Sequence, residues 1–409
     1  MAAVKCCSFA RQLQHGAKNI QIYQVAAFST TSPRNEDRSY KMLIVGGGAG
    51  GSAIANKFAS KFGKDLCVLE PSEVHYYQPM WTLVGGGIKK FDQCHRQTGD
   101  VLPKKSVWLK DTVSSFDPDN NQVTTAKGDK IKYDILVVAL GLQLDYGKIK
   151  GLVEALEEDP AVCSNYHKEY VRKTFPAATS IQDGNAIFTF PNTPIKCAGA
   201  PQKIMYILEE CFRNQEKRDK VNVMYNTSLP VIFGIPKYAA SLNKIVEDRK
   251  INVNFRHNLV EVRHKSREAV FENLDTGEMK TFQYNFLHAS PPCSAPDALK
   301  GSALVDATNF VDVDKLNLQH KKYPNVYAIG DCSNAPTAKT AAAVAAQSGV
   351  VARSIREYMK GKDLSSQYNG YTSCPLVTGR GKCIMAEFGY DGQVLETFPR
   401  SEERRVGKE

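Results

Sequence analysis

With 409 residues, 42% of them hydrophobic, the chain is long enough to build two or three cores. No apolar run approaches the ~18 residues that cross a bilayer, and the longest, residues 135–142, reads as a buried strand. The net charge of +10 is scattered outside the first segment, without the blocks or aromatic interleaving of a nucleic-acid binder, so nucleic acid is excluded as a partner.

The first segment carries Lys5, Arg11, Lys18 and Arg34 with no acid before Glu36, and Ser/Thr residues cluster at 29–32. That is the composition of a mitochondrial transit segment, expected over residues 1–39. The apolar stretch Met42-Leu-Ile-Val45 then runs into Gly46-Gly-Gly-Ala-Gly-Gly51, and a helix-compatible stretch follows over 52–62. Strand, glycine turn and helix in this order bind a pyrophosphate. Glycine lets the backbone approach the phosphates, and the helix N-terminus offers free N–H groups and a positive dipole end. Gly46, Gly48, Ala49 and Gly50 are the expected contacts, and Glu70 closes the next strand where a ribose hydroxyl would sit.

Residues 108–141 read as strand, turn, strand, turn and a long final strand ending at Gly141. Residues 255–292 repeat the plan, with strands over 259–263 and 269–274, a turn at Asp275-Thr-Gly277, and a last strand that runs into Pro291-Pro292. An internal duplication is implied. At the start of the second copy, however, the strand 186–190 runs into Pro191-Asn-Thr-Pro-Ile-Lys-Cys-Ala-Gly-Ala-Pro201, which leaves no room for a GxGxxG turn. The second unit has the wrapping of a dinucleotide domain without its phosphate site, so electrons are not expected from NAD(P)H. Cys197 stands there instead, ahead of a helix expected from Pro201. Lys196 beside it and Lys203 one turn in would each lower its thiol pKa.

Farther on, Val326-Tyr-Ala-Ile-Gly-Asp331 is a short strand that delivers an acid right after Gly330, and an Ala-rich helix is expected over 340–351, beginning near Pro336-Thr337. Asp331 can accept a ribityl hydroxyl, and the helix end can face the flavin edge that gathers charge on reduction. NAD has no ribityl chain, so the pair of motifs selects FAD. Cys374 lies in a turn-rich segment. Of 11 cysteines none forms a CxxC with these two, and no His/Cys spacing resembles a zinc site, so no metal is expected.

On Gly46-Gly-Gly-Ala-Gly-Gly51, Glu70-Pro-Ser-Glu73, Tyr77-Gln-Pro-Met80, Phe188-Thr-Phe-Pro-Asn-Thr-Pro-Ile-Lys-Cys197, Gly330-Asp-Cys332, Lys339-Thr-Ala-Ala342 and Tyr371-Thr-Ser-Cys374, the chain resembles the mitochondrial sulfide:quinone oxidoreductases, a branch of the flavoprotein disulfide reductases, over residues 40–399. The resemblance implies an α/β fold with two Rossmann-like domains and a C-terminal segment shorter than the family's. The FAD-binding domain would take 40–150 and return over 291–365, a second Rossmann-like domain 151–290, and a segment with the second redox cysteine 366–399. Residues 400–409 would be an unrelated charged tail.

The same resemblance implies the chemistry. Cys197 and Cys374 would form a redox bridge, with an extra sulfur in some members. Hydrogen sulfide would attack Cys374, and the persulfide sulfur would pass to glutathione or sulfite while FAD hands electrons to ubiquinone. Ala49 and Gly50 would meet the pyrophosphate, Glu70 the adenosine ribose, Gln78 the neighbouring edge and backbone Val113 the adenine. Asp331 would meet the ribityl chain, and Lys339, Thr340, Ala341 and Ala342 the isoalloxazine. Cys163 lies near a third cysteine of bacterial relatives; the alternative is a surface thiol. The family docks on the matrix side of the mitochondrial inner membrane, a property in doubt for a chain ending in a charged tail. Two alternatives stay open: a type II NADH:quinone reductase, and a redox-silent flavin-binding scaffold.

Overall fold

The structure, a computed structural model, describes residues 38–397 and the backbone of Arg404–Arg405; residues 1–37 of the expected leader and most of the charged tail lie outside the described residues, while Arg38 and Ser39, also assigned to that leader, fall in the first strand. Chain tracing begins with β1 (Arg38–Val45), whose last four residues are buried, and α1 (Ala49–Phe62) follows directly on the glycine turn. Next come β2 (Leu66–Leu69), β3 (Val107–Leu109), β4 (Val113–Asp117), β5 (Gln122–Thr125) and β6 (Lys130–Val138). These strands form one sheet in the order β3-β2-β1-β6-β5-β4, with a later strand returning to β6. In β6 the first half alternates exposed and buried residues while the second half, Ile135 to Val138, is buried throughout. The alternation marks the part that pairs with the antiparallel β5; the continuous run marks the part held between parallel neighbours and covered on both faces.

The second sheet is parallel throughout, in the order β7-β14-β8-β9-β10. It is built from β7 (Val162–Cys163), β8 (Gly184–Phe190), β9 (Val221–Thr227), β10 (Asn252–Phe255) and β14 (Phe286–His288), with α2 (Ala200–Asn214) and α3 (Pro236–Asp248) in the connections. Between β10 and β14, β11 (His257–Arg263), β12 (Glu268–Asn273) and β13 (Met279–Gln283) make a separate antiparallel sheet.

Here the two copies diverge. In the first, the hairpin strand and the final parallel strand are one continuous β6; in the second, β13 and β14 are separated by Tyr284 and Asn285. The Tyr284 hydroxyl donates to the buried Asp159 and its N–H bonds the Arg267 carbonyl, while Asn285 exchanges bonds with Asn185, so at this point the chain passes from the antiparallel sheet to the parallel one. The expected last strand shrinks to three residues for this reason, and Pro291-Pro292 cannot extend it.

The chain returns through β15 (Val326–Ala328), which pairs in parallel with β6, and then α4 (Ala341–Tyr358). The helix does not begin near Pro336-Thr337 as expected. Thr340 is its N-cap, the hydroxyl accepting the Ala343 N–H at 3.0 Å, and residues 333–340 run without helical structure. Cys374 is not in a turn. It lies in β16 (Thr372–Gly379), which pairs only with β17 (Lys382–Phe388), while β18 (Arg404–Arg405) adds to the far side of β17. An edge strand tolerates Pro375, which has no N–H to give. The turn residues around Cys374 were misread because β-pairing is non-local. The described residues form one compact unit.

Candidate active site

Four parallel strands of the first sheet finish level with one another. Val45 pairs with Leu69 and with Val138, and Val138 pairs with Ala328. The backbone extends this register by one step, Gly46 N–H bonding Leu69 C=O, Ala139 N–H bonding Val45 C=O, and Ile329 N–H bonding Val138 C=O. Gly46, Glu70, Ala139 and Gly330 therefore emerge along one carboxyl edge, the place where open α/β sheets bind ligands.

At that edge the glycines differ in what they do. Gly46 has φ +98°, and a Cβ there would collide with the Ala139 carbonyl; a Cβ on Gly51 would run into the carbonyl of Gly46. Both are required by the turn itself. A Cβ on Gly48, by contrast, would meet nothing within 4 Å, so the turn is open on the side of the α1 N-terminus. No side chain caps that terminus and no acid occupies its first turn, which leaves its N–H groups and its dipole end for an anion. Glu70 holds the turn from the next strand: its carboxylate accepts the Gly47 N–H at 2.7 Å and the Ser72 N–H at 2.7 Å. Val113 begins β4 with its side chain in the core and its backbone paired opposite Thr125.

From the other side of the sheet edge comes Gly330 (φ +79°), whose N–H donates to the buried Gln347 of α4. Asp331 follows, and its carboxylate receives no hydrogen bond from the described residues. Burial pushes its pKa up, while the ammonium groups of Lys339 and Lys196 pull it back. Lys339 is not a solvated helix residue. Its Nζ donates to the carbonyls of Asp331 (2.7 Å) and Ser333 (3.1 Å), and it lies 4.4 Å over the Phe310 ring. With Phe310, Ser333, Pro336 and Thr337 it lines a cleft of about 480 Å³. Thr340 spends its hydroxyl on the cap, leaving the N–H groups of Ala341 and Ala342 at the helix end without partners in the helix.

The second sheet's carboxyl edge brings two cysteines together. Beyond β8 the segment 191–199 carries Cys197 in a left-handed conformation, φ +53°. Its N–H donates to the Lys339 carbonyl at 2.8 Å and its carbonyl accepts the Ala200 N–H at 2.8 Å. The first bond joins this turn to the segment that carries Asp331 and Thr340. Cys374 comes from β16, and the two sulfurs stand 3.4 Å apart although 177 residues separate them in sequence. That is a non-bonded contact, longer than the ~2.05 Å of a disulfide. Gly199 makes room for it, because a Cβ there would lie 2.6 Å from the Cys374 sulfur.

Charge in the pair is divided unequally. The Cys197 thiol is held well below its usual range, first by the hydrogen bond from Cys374 and then by Lys203, whose Nζ is 3.5 Å away; burial opposes both. Cys374 is pushed up by the same hydrogen bond and by burial. Lys203 in turn is raised by the two sulfurs, against the effect of its own burial. Lys196 does not take part as expected: its Nζ donates to the Gln78 side chain at 3.0 Å and its charge falls on Asp331 and Cys293. Gln78 is exposed and is linked to the site through this bond. Cys163 is neither a surface thiol nor a partner of the pair. It is fully buried in β7, and burial pushes its thiol up to about 12.

Residues 40–177 match the pyridine nucleotide-disulphide oxidoreductase family model. The chain is 52% identical to the mitochondrial sulfide:quinone oxidoreductase of Mus musculus over 369 residues, covering 89% of this chain and 82% of that protein. The chain belongs to the sulfide:quinone oxidoreductase family. A family member from Dictyostelium discoideum is 45% identical over 88% of this chain and 80% of its own length. Among solved structures, the sulfide:quinone oxidoreductase of Aquifex aeolicus superposes with a TM-score of 0.74, at 19% identity, over 90% of this chain and 86% of that one, which bears on the fold.

Within this sulfide:quinone oxidoreductase framework, three contributors escaped the sequence reading. Gln347 fixes Gly330, Gly199 admits Cys374, and Thr372 bonds Thr340 hydroxyl to hydroxyl at 2.6 Å, tying β16 to the cap of α4. Each is a long-range contact of an ordinary residue, and only the glycine next to a cysteine offers any local signal.

Proposed function

We propose that this chain oxidises hydrogen sulfide through a bridge between Cys197 and Cys374, in mitochondria, with FAD as cofactor and ubiquinone as electron acceptor. The observation that carries the reading is the 3.4 Å approach of two cysteines from distant segments, one of them beside Lys203 and bonded to the Lys339 carbonyl. The residues present fit FAD. Gly48 leaves space at an uncapped helix end, Glu70 carries a carboxylate at the end of β2, and Asp331 is a half-buried acid whose carboxylate has no hydrogen-bond partner among the described residues. Ala49, Gly50, Gln78, backbone Val113, Lys339, Thr340, Ala341 and Ala342 complete the proposed contacts. On this reading the domains are 40–150 with 291–365 for FAD, 151–290 for the second wrapping, and 366–399 for the strand that brings Cys374.

Hydrosulfide attacks the Cys374 sulfur of the bridge, the bond between the two cysteines breaks, and Cys197 leaves with the electron pair as a thiolate. Cys374 becomes a persulfide. Lys203 favours this direction of cleavage, since a cation at 3.5 Å makes Cys197 the better leaving group. A small nucleophile, glutathione or sulfite, then takes the outer sulfur and frees Cys374 as a thiolate. When bound, FAD would supply the acceptor for the electron pair released as the two sulfurs re-form their bridge, with ubiquinone as the final acceptor. Docking on the inner-membrane surface belongs to the same proposal; no helix among the described residues is long and apolar enough to cross a membrane.

The test is anaerobic bleaching of the flavin by each donor. Sulfide is expected to reduce it and NADH is not, because residues 191–199 offer no phosphate turn at the end of β8. Rapid bleaching by NADH with none by sulfide would transfer the assignment to a type II NADH:quinone reductase; bleaching by neither would leave a redox-silent flavin scaffold.

A further inference from the structure

β16 has an unusual demand on it. A one-residue slip of a strand moves every side chain to the other face, and β16 is an edge strand whose ladder is weakened by Pro375 and shifted between Val377 and Gly379. Its pairing with β17 is therefore a poor guarantee that Cys374 faces Cys197. Besides β17, β16 meets the cap of α4 at its start, through Thr372 and Thr340, and runs along α2 for the rest of its length.

Helix and strand are matched in length. From Gly199 to Glu209 the helix rises about 15 Å, and from Cys374 to Thr378 the strand advances about 14 Å. At one end of this contact Gly199 lies against Cys374 and Leu376. At the other, two consecutive glutamates of α2 take hold of the end of β16. Glu209 is fully buried and is paired with Arg213 at 2.9 Å, Arg249 at 3.3 Å and Arg218 at 3.4 Å. Arg249 Nη1 passes the link on, donating to the Thr378 carbonyl at 2.6 Å. Glu210 accepts the Arg380 N–H at 2.5 Å, and a Cβ on Gly379 would lie 2.8 Å from its carboxylate.

A carboxylate buried among three guanidinium groups is a weak way to gain stability, because desolvation offsets most of the attraction, whereas fixing register is the best-attested use of such a cluster. The geometry points to Glu209, acting through Arg249, as a positioning residue that sets the register of β16 on α2 and so holds Cys374 opposite Cys197. The inference rests on the proposed bridge chemistry for its purpose but not for its measurement.

The experiment is the thiol–bridge equilibrium of Cys197 and Cys374 in glutathione redox buffers, read by alkylation and mass analysis on the FAD-loaded protein without sulfide. In Glu209→Gln the bridge is expected to be at least tenfold less favourable, a shift of about 30 mV for this two-electron couple, with flavin content unchanged and Arg249→Met moving in the same direction. An equilibrium constant within twofold of the parent in Glu209→Gln would overturn the inference. Should that variant not accumulate as a folded holoprotein, Glu210→Gln decides: a threefold or greater loss upholds the clamp and an unchanged constant overturns it. A protein whose flavin ignores sulfide but whose bridge weakens in Glu209→Gln refutes the proposed reaction and leaves the clamp standing.

Discussion

The parallel strands of the two sheets place chain turns of opposite character at equivalent edges. After β1 the turn is Gly46 to Gly51, and after β8 it is Pro191 to Gly199. Both contain a residue in the left-handed region, Gly46 at φ +98° and Cys197 at φ +53°. In the first turn glycine adopts that conformation at no steric cost. In the second a cysteine adopts it, at a cost on the order of 1 kcal/mol, and two backbone bonds, to Lys339 and from Ala200, hold it there. One wrapping thus serves two ends. Absence of side chains leaves an open helix end at one edge, and a residue in a strained backbone conformation presents a thiol at the other.

The comparison breaks most visibly at Cys197. Cys197→Ser is expected to abolish sulfide-dependent flavin reduction while FAD stays bound, since a serine oxygen cannot form the bridge; stopped-flow absorbance together with flavin content after dialysis checks both halves. Full turnover in this variant would end the proposed mechanism.

Gly46→Ala is expected to cost about 1–3 kcal/mol of stability and to yield protein largely free of flavin, because the new Cβ meets the Ala139 carbonyl in a conformation L-residues avoid. Asn192→Ala, two residues past the end of β8 and exposed, should leave flavin content unchanged. Equal flavin content in both variants would show that the first turn does not grip the cofactor.

The smallest effect concerns charge. In the reduced protein the hydrogen bond from Cys374 and the Lys203 ammonium lower the Cys197 pKa, so its alkylation rate is expected to stay high as pH falls below the usual thiol range. In Lys203→Met one of the causes that lower the Cys197 pKa is removed and burial still raises it, so the midpoint of the rate–pH curve moves upward. At pH below the midpoint each unit of that rise removes roughly tenfold of the thiolate. An unmoved curve would assign the lowering to Cys374 alone.

Much of the fold was legible because its signals are local. The apolar run into Gly46, the acid at Glu70, the strand before Gly330-Asp331 and the missing glycine turn before Cys197 can each be read within a window of ten or so residues. Misreadings arose where a distant partner decided the outcome. Thr340 rather than Pro336 starts α4, since its hydroxyl caps the helix and meets Thr372. Lys196 serves Gln78 and Asp331 rather than Cys197, because the strained turn directs adjacent side chains apart.

By itself the sequence determined that a dinucleotide turn, a flavin-type acid and a cysteine in place of a second phosphate site share one chain, since each depends on backbone permissiveness or on residue order along a few positions. The resemblance paired Cys374 with Cys197, but only the tertiary structure decided how closely the sulfurs approach, which of two lysines lies against Cys197, and how β16 is held in register. Those outcomes depend on side chains that approach across 177 residues of intervening chain. Their attraction exists only after the two sheets and α2 have packed.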